Sequence, residues 1–201
     1  MKCRVCGSSQ GKSLYSISGF QVIRCLNCGL IYRYPQLGEE ELARLYNKNY
    51  FLSEDPLRWG YRDYVKMKKF INKTFEYKLK IIECYKKRGR ILDIGCATGF
   101  FLKIAKKKGW ETHGVELSDY AASYGREKMG LDIKTGDLKK AGYRKEYFDI
   151  VTMWDILEHT SYPLEELKEV NRVLKENGLV FITVPNIRSL IARIMGRRWF
   201  G

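Results

Sequence analysis

Leu92-Asp93-Ile94-Gly95-Cys96-Ala97-Thr98-Gly99 closes one short apolar run and opens a segment whose apolar residues recur at helical spacing. A strand that breaks into a glycine turn and then feeds a helix is where α/β sheets hold ligands, above the carboxyl ends of the strands. Downstream the same alternation repeats. The patterning predicts strands over 91–94, 112–115, 131–134, 148–153 and 179–184. Helices are expected over about 100–108, 119–129 and 164–175, with Gly109 and Gly178 where helices should stop. Strands alternating with helices imply an α/β fold, a Rossmann-like parallel sheet covered by helices on both faces.

The turn itself sorts the ligands. A G-x-G-x-x-G fingerprint would place glycines where this chain has Ala97 and Phe100, so NAD is disfavoured. No Gly-Lys-Ser/Thr follows, which excludes a P-loop. What remains is Asp93 at the strand end, a G-x-x-x-G turn, and Glu116 closing the second strand 21 residues after Gly95. A carboxylate at that place can accept both hydroxyls of a ribose.

Upstream, Cys3-Arg-Val-Cys6 and Cys25-Leu-Asn-Cys28 are separated by 18 residues, within the spacing of a four-cysteine structural zinc site. Gly7 and Gly29 follow the two pairs and relieve their turns. With all four positions thiol, no coordination site stays open for water, so such a metal would be structural. Leu14-Tyr-Ser-Ile-Ser and Phe20-Gln-Val-Ile-Arg alternate as hairpin strands do, and the segment reads as a zinc ribbon. It carries Lys2, Arg4, Lys12, Arg24 and Arg33 with no acid, and Tyr32 and Tyr34 beside them. Either an RNA-holding module or a packing platform fits that composition.

Between ribbon and sheet, 39–46 reads as a short helix with acids in its first turn, and about 62–87 as a longer one with apolar residues at helical spacing. From Lys66 to Arg90 ten basic residues face two acids. That run is either a solvated helix face or a lid offering cations to an anionic substrate. Cys84 on this helix is most simply a small apolar residue. The division expected is 1–36 zinc ribbon, 37–88 helical linker or lid, and 89–201 cofactor-binding domain.

Over 201 residues, 37 Lys+Arg against 23 Asp+Glu leave a formal charge of +14, which draws anions such as phosphates, nucleotides or nucleic acid. No run approaches the roughly 18 apolar residues of a membrane span. Met1-Lys2-Cys3-Arg4 lacks a secretory apolar stretch, and the expected location is the cytoplasm.

Five blocks stand in one order: Asp93 to Gly99, Gly114-Val-Glu-Leu-Ser118, Gly136-Asp137, Phe148-Asp-Ile-Val-Thr-Met-Trp-Asp-Ile-Leu-Glu-His159 and Val173-Leu-Lys-Glu-Asn-Gly-Leu-Val-Phe-Ile-Thr-Val-Pro-Asn186. In order and spacing they resemble the class I S-adenosylmethionine-dependent methyltransferases, over residues 89–186. The ribbon, with Cys28-Gly-Leu-Ile-Tyr32 and Pro35, resembles the zinc-binding front end of a bacterial and archaeal subgroup linked to sugar, polysaccharide or natural-product methylation. The resemblance implies S-adenosylmethionine as cofactor, bound by Asp93 and by Gly95, Cys96, Ala97, Thr98 and Gly99 passing beneath the methionine moiety. It further implies Glu116 on the ribose, Asp137 on the adenine amino group, Leu117 and Leu138 about the ring, and Trp154 and Asp155 closing the methionine side. Ala97 departs from the family's usual glycine, and its methyl group is expected to narrow the loop without blocking it.

Methyl transfer is an in-line displacement, so holding the acceptor in line supplies most of the catalysis. Of the two histidines, His113 lies inside the second strand and reads as structural. His159 follows the fourth strand and is the candidate base, with a supporting role equally open because the Leu-Glu-His triplet recurs across the family. The acceptor expected is a small anionic molecule, such as a nucleotide-linked sugar or a glycan intermediate. An RNA acceptor and a non-catalytic binding subunit are the alternatives. The resembled fold continues past the fifth strand with a helix and two more strands. Here a helix over 187–195 precedes Trp199-Phe-Gly201. The expectation is the front part of a longer methyltransferase, or a fifth strand whose open edge is covered by a partner chain.

Overall fold

The structure, a computed structural model, describes residues 2–17, 19–54 and 60–196. Ser18 of the expected hairpin and residues 199–201 lie outside the described residues. Strands β1 (Gly11–Ile17), β2 (Phe20–Cys25) and β3 (Ile31–Tyr34) form a small antiparallel sheet in that order. The third strand was not expected, because four residues alternate too briefly to register as a strand.

Helix α1 (Glu39–Leu45) starts where Glu41 Oε2 accepts from the Gly38 N–H at 2.7 Å. The unexpected single turn α2 (Lys48–Phe51) is capped by Asn47, whose side chain accepts from the Asn49 N–H. Helix α3 (Lys68–Tyr85) is shorter than the periodicity predicts. Asp63 Oδ1 accepts from the Lys66 N–H at 3.1 Å, and the Met67 N–H reaches the Asp63 carbonyl. Asp63 thus caps a separate turn, and the helix proper begins at Lys68.

The second sheet follows as β4 (Arg90–Ile94), α4 (Phe100–Lys107), β5 (Glu111–Glu116), α5 (Asp119–Met129), β6 (Asp132–Thr135), β7 (Phe148–Trp154), a 3₁₀ turn at Leu157–His159, α6 (Pro163–Val173), β8 (Leu174–Thr183) and α7 (Leu190–Met195). All five strands are parallel, in the order β6-β5-β4-β7-β8. Neighbouring residues of the central strands enter opposite cores. Ile91 and Ile150 pack with Leu79, Ile82 and Phe101 on one face, while Leu92 and Val151 pack with Phe148, Val170 and Val173 on the other. Burial on both faces explains why these strands read as largely apolar runs. Gly178 is not a helix stop. Helix α6 ends at Val173, and pairing along β8 jumps from Leu174 to Leu179 with Gly178 inside the interruption.

Asp149, at the start of β7, accepts from Lys86 Nζ at 2.7 Å, Lys175 Nζ at 2.8 Å and the Arg90 N–H at 2.8 Å. Although burial opposes ionisation, the two ammonium groups and the amide hold the carboxyl down to about 2. A depressed carboxylate contributes stability above its unfolded pKa near 4 and loses it as pH falls through about 2, here about 2 kcal/mol. Melts across that window should therefore show a shallower acid slope for Asp149→Asn than for wild type. Parallel slopes would refute the linkage.

Candidate cofactor and acceptor site

The sequence places the glycine turn at the carboxyl end of β4, between β5 and β7, where the parallel order leaves a crevice. The Gly95 and Cys96 N–H groups donate to the Val115 carbonyl, pinning the turn to β5. Gly95 has φ +68°, and a Cβ there would collide with the Ile156 side chain, so only glycine fits. Ala97 has φ 49°, a left-handed conformation that costs an L-residue about 1 kcal/mol. The departure from glycine thus strains the backbone, besides narrowing the loop. Thr98 is wholly buried, and its Oγ1 has no partner among the described residues.

Glu116 ends β5 and reaches back to the turn. Its Oε2 accepts from the Ala97 N–H and its Oε1 from the Ser118 N–H, both at 2.8 Å. Burial raises its carboxyl, and these amides oppose that. The Leu117 N–H also bonds this carboxylate, which leaves acceptor capacity for about one further donor. Asp93 lies deeper, accepting from Thr152 Oγ1 at 2.7 Å, and burial pushes its carboxyl up to about 7. A raised carboxyl makes the fold lose stability as pH climbs from the unfolded value near 4 toward 7. Asp93→Asn should therefore stabilise the ligand-free chain by about 2 kcal/mol at pH 8, with the gain fading toward pH 4. An unchanged or lower stability at pH 8 would contradict the assignment.

Beyond β6, Asp137 accepts from the Lys140 N–H at 2.7 Å and pairs with Lys140 Nζ at 2.9 Å. Leu117 is exposed, whereas Leu138 is fully buried among Val115, Phe148 and Val151. Only Leu117 therefore presents its side chain to a ligand in this structure.

On the other side, Trp154 packs edge-on to Phe101, and its Nε1 has no partner among the described residues. Asp155 has φ 57°; its N–H donates to the Thr183 carbonyl, and its Oδ1 accepts from Thr183 Oγ1 at 3.0 Å. Lys78, from α3, reaches this group. Its Nζ lies 4.4 Å from the Trp154 ring centroid and 3.8 Å from Asp155 Oδ2, and burial lowers its pKa. The basic run is thus split between roles: Lys78 serves this end of the sheet, whereas Lys86 binds Asp149. His159 is half exposed, with Nε2 3.9 Å from Glu158 Oε1. Burial raises the Glu158 carboxyl. His113, as expected, is a packing residue, 2.7 Å from Asp132 Oδ2 and edge-on to Phe148.

Aromatic rings that the sequence reading passed over cover this end. Tyr64 stacks on Phe100 at 5.6 Å, Tyr61 and Phe51 meet Tyr64 edge-on, and Tyr46 meets both Tyr50 and His159. Burial pushes Tyr46 up to about 12 and raises Tyr50, Tyr61 and Tyr64, so these phenols stay neutral donors. The density of tyrosines between Tyr46 and Tyr64 was the available signal.

In the ribbon, the four thiol sulfurs of Cys3, Cys6, Cys25 and Cys28 lie within 4.8 Å of one another. Cys3 and Cys28 sulfurs are 3.6 Å apart, those of Cys6 and Cys25 3.5 Å. Tetrahedral zinc with bonds of about 2.3 Å spaces its sulfurs at about 3.8 Å, so the set fits that ion. The Asn27 side chain and then the Ser8 N–H lower the Cys6 thiol, while its crowding with the other three thiols raises that of Cys28.

A five-stranded parallel sheet in this order, with a glycine turn facing an acidic strand end, defines a nucleotide-cofactor-binding α/β domain of the methyltransferase type. Residues 59–201 match the family described as methyltransferase domain. The chain belongs to that family and carries an S-adenosylmethionine-dependent methyltransferase domain. Among solved structures, it resembles a SAM-dependent methyltransferase from Archaeoglobus fulgidus with TM-score 0.57 and 26% identity, covering 72% of this chain and 62% of that one. The PH0226 protein from Pyrococcus horikoshii OT3 matches with TM-score 0.53 and 27% identity, over 78% of this chain and 67% of that one. The ubiquinone biosynthesis O-methyltransferase of Nitrosomonas europaea is 26% identical over 117 residues, 54% of this chain and 50% of that protein. The chain spans about half the length of the curated relatives it matches. Among the described residues, no helix is long and apolar enough to cross a membrane.

Proposed function

We propose that the chain binds S-adenosylmethionine at the carboxyl ends of β4 and β5 and methylates a small anionic acceptor, such as a nucleotide-linked sugar or a glycan or natural-product intermediate. The observation that carries the reading is the Glu116 carboxylate bridging the turn at Ala97 and the β5 end at Ser118, with acceptor capacity left for a ribose hydroxyl. The unpaired, buried Thr98 Oγ1 supports a ligand in the same turn. When bound, the cofactor supplies a methyl group on an electrophilic sulfonium.

The chain's own residues hold and orient. Asp93 and the turn from Gly95 to Gly99 underlie the methionine moiety, Asp137 receives the adenine amino group, and Leu117 borders the ring. Trp154 and Asp155 close the methionine side. The tyrosine layer excludes water, so the acceptor meets the methyl group in a preset line. Lys78, half buried at that end, offers a cation to an acidic group on the acceptor. His159 removes the acceptor proton if the nucleophile is a hydroxyl. Zinc on Cys3, Cys6, Cys25 and Cys28 holds the ribbon, and the compartment is the cytoplasm.

The exposed apolar residues Leu179 and Val180 on edge strand β8 are a surface for a second copy. Incorporation of labelled methyl into cell extract, separated into small-molecule, RNA and protein fractions, tests the acceptor class. Label in the small-molecule fraction is expected, and label in RNA would overturn it in favour of a nucleic-acid acceptor.

A further inference from the structure

The ribbon touches the second sheet's domain on the loop that carries Glu158 and His159. Arg4, fixed between the first two cysteines, lays its guanidinium 4.5 Å from the Tyr162 ring centroid. Its Nε donates to Gln36 Oε1 at 3.0 Å, which aims the group. The Ser161 hydroxyl donates to the Leu37 carbonyl at 2.6 Å, across 124 residues of sequence. Tyr46, in the same linker, sets its ring edge-on to His159 at 6.0 Å.

Ile156 and Leu157 pack on the second core, but beyond them the loop has little of its own to hold it. Leu157–His159 is one 3₁₀ turn closed by the His159 N–H on the Ile156 carbonyl, and the Tyr162 N–H has only a 3.4 Å bond to Thr160 Oγ1. An isolated turn of this kind is not self-supporting. The glycine turn and Glu116, by contrast, are pinned to β5 without the ribbon.

We propose that the cysteine ribbon is a brace for the Glu158–His159 turn, with Arg4 and Ser161 as positioning residues on either side of the junction. The proposal rests on reading that turn as the acceptor side of the site. Its consequence is a division of labour: the strands hold the cofactor, and the ribbon sets where the acceptor loop stands.

Hydrogen exchange on the full chain, purified with equimolar zinc, tests this. In Arg4→Ala with Ser161→Ala, the amides of His159 and Tyr162 should exchange about tenfold faster, the loss expected for one cation–π contact and one hydrogen bond. The ribbon amides of Gly7 and Gly29 should keep wild-type rates, and S-adenosylhomocysteine affinity should stay within about twofold. Arg4→Lys should restore part of the protection, because an ammonium still engages the Tyr162 face. Methyl transfer into the labelled fraction should slow while cofactor affinity holds. Ser161→Ala alone leaves the ribbon untouched and should show the smaller share of the effect. Wild-type exchange at His159 and Tyr162 in the double variant would overturn the brace. Failure of the wild type to bind S-adenosylhomocysteine would overturn the cofactor reading instead, leaving the exchange result to stand.

Discussion

Cys25→Ser is expected to unfold residues 2–35 while S-adenosylhomocysteine affinity stays within about twofold. Among the described residues the ribbon buries only Cys3, Ile23 and Cys25 fully, too few side chains for a core without a metal. Structural zinc contributes about 10–16 kcal/mol to folding of such small sites. Weakening one of four ligands removes enough of that to tip the ribbon. The five-stranded sheet keeps two cores of its own and should persist. Limited trypsin digestion should release fragments from the ribbon's basic residues while protecting 90–183. Loss of metal with an intact, protected ribbon would contradict the zinc assignment.

Glu116→Ala should weaken S-adenosylhomocysteine by at least about tenfold, and by up to about a hundredfold, because hydrogen bonds to a charged partner contribute about 1.5–3 kcal/mol. The substitution also leaves the Ala97 and Ser118 amides without their acceptor, in a turn already strained at Ala97. Glu116→Gln, which keeps one accepting oxygen, should fall between the two. Unchanged affinity in Glu116→Ala would sink the ribose assignment.

The sheet was legible because its strands are buried on both faces, so that Ile91 to Ile94 and Phe148 to Met153 read as largely apolar runs. The glycine turn and Glu116 were legible because their chemistry is local to two strand ends. What escaped depends on contacts between distant residues. Lys78 is one of many lysines on α3, and only the tertiary fold selects it for Trp154 and Asp155. Tyr46 and Tyr50 lie four apart and Tyr61 and Tyr64 three apart, but no single element joins the two pairs, so their meeting left no pattern. The start of α3 at Lys68 follows a separate turn capped by Asp63, a local device that periodicity ignores. Leu138 was read as a ring neighbour on resemblance, and its burial depends on packing by Phe148 and Val151.

The account stands most directly on cofactor binding at the ends of β4 and β5. Calorimetric titration of S-adenosylhomocysteine into the 201-residue chain should show one site per chain with a dissociation constant below about 100 μM, that is, more than about 5 kcal/mol of binding free energy. Absence of binding heat at several temperatures, in protein whose sheet is folded, would contradict it.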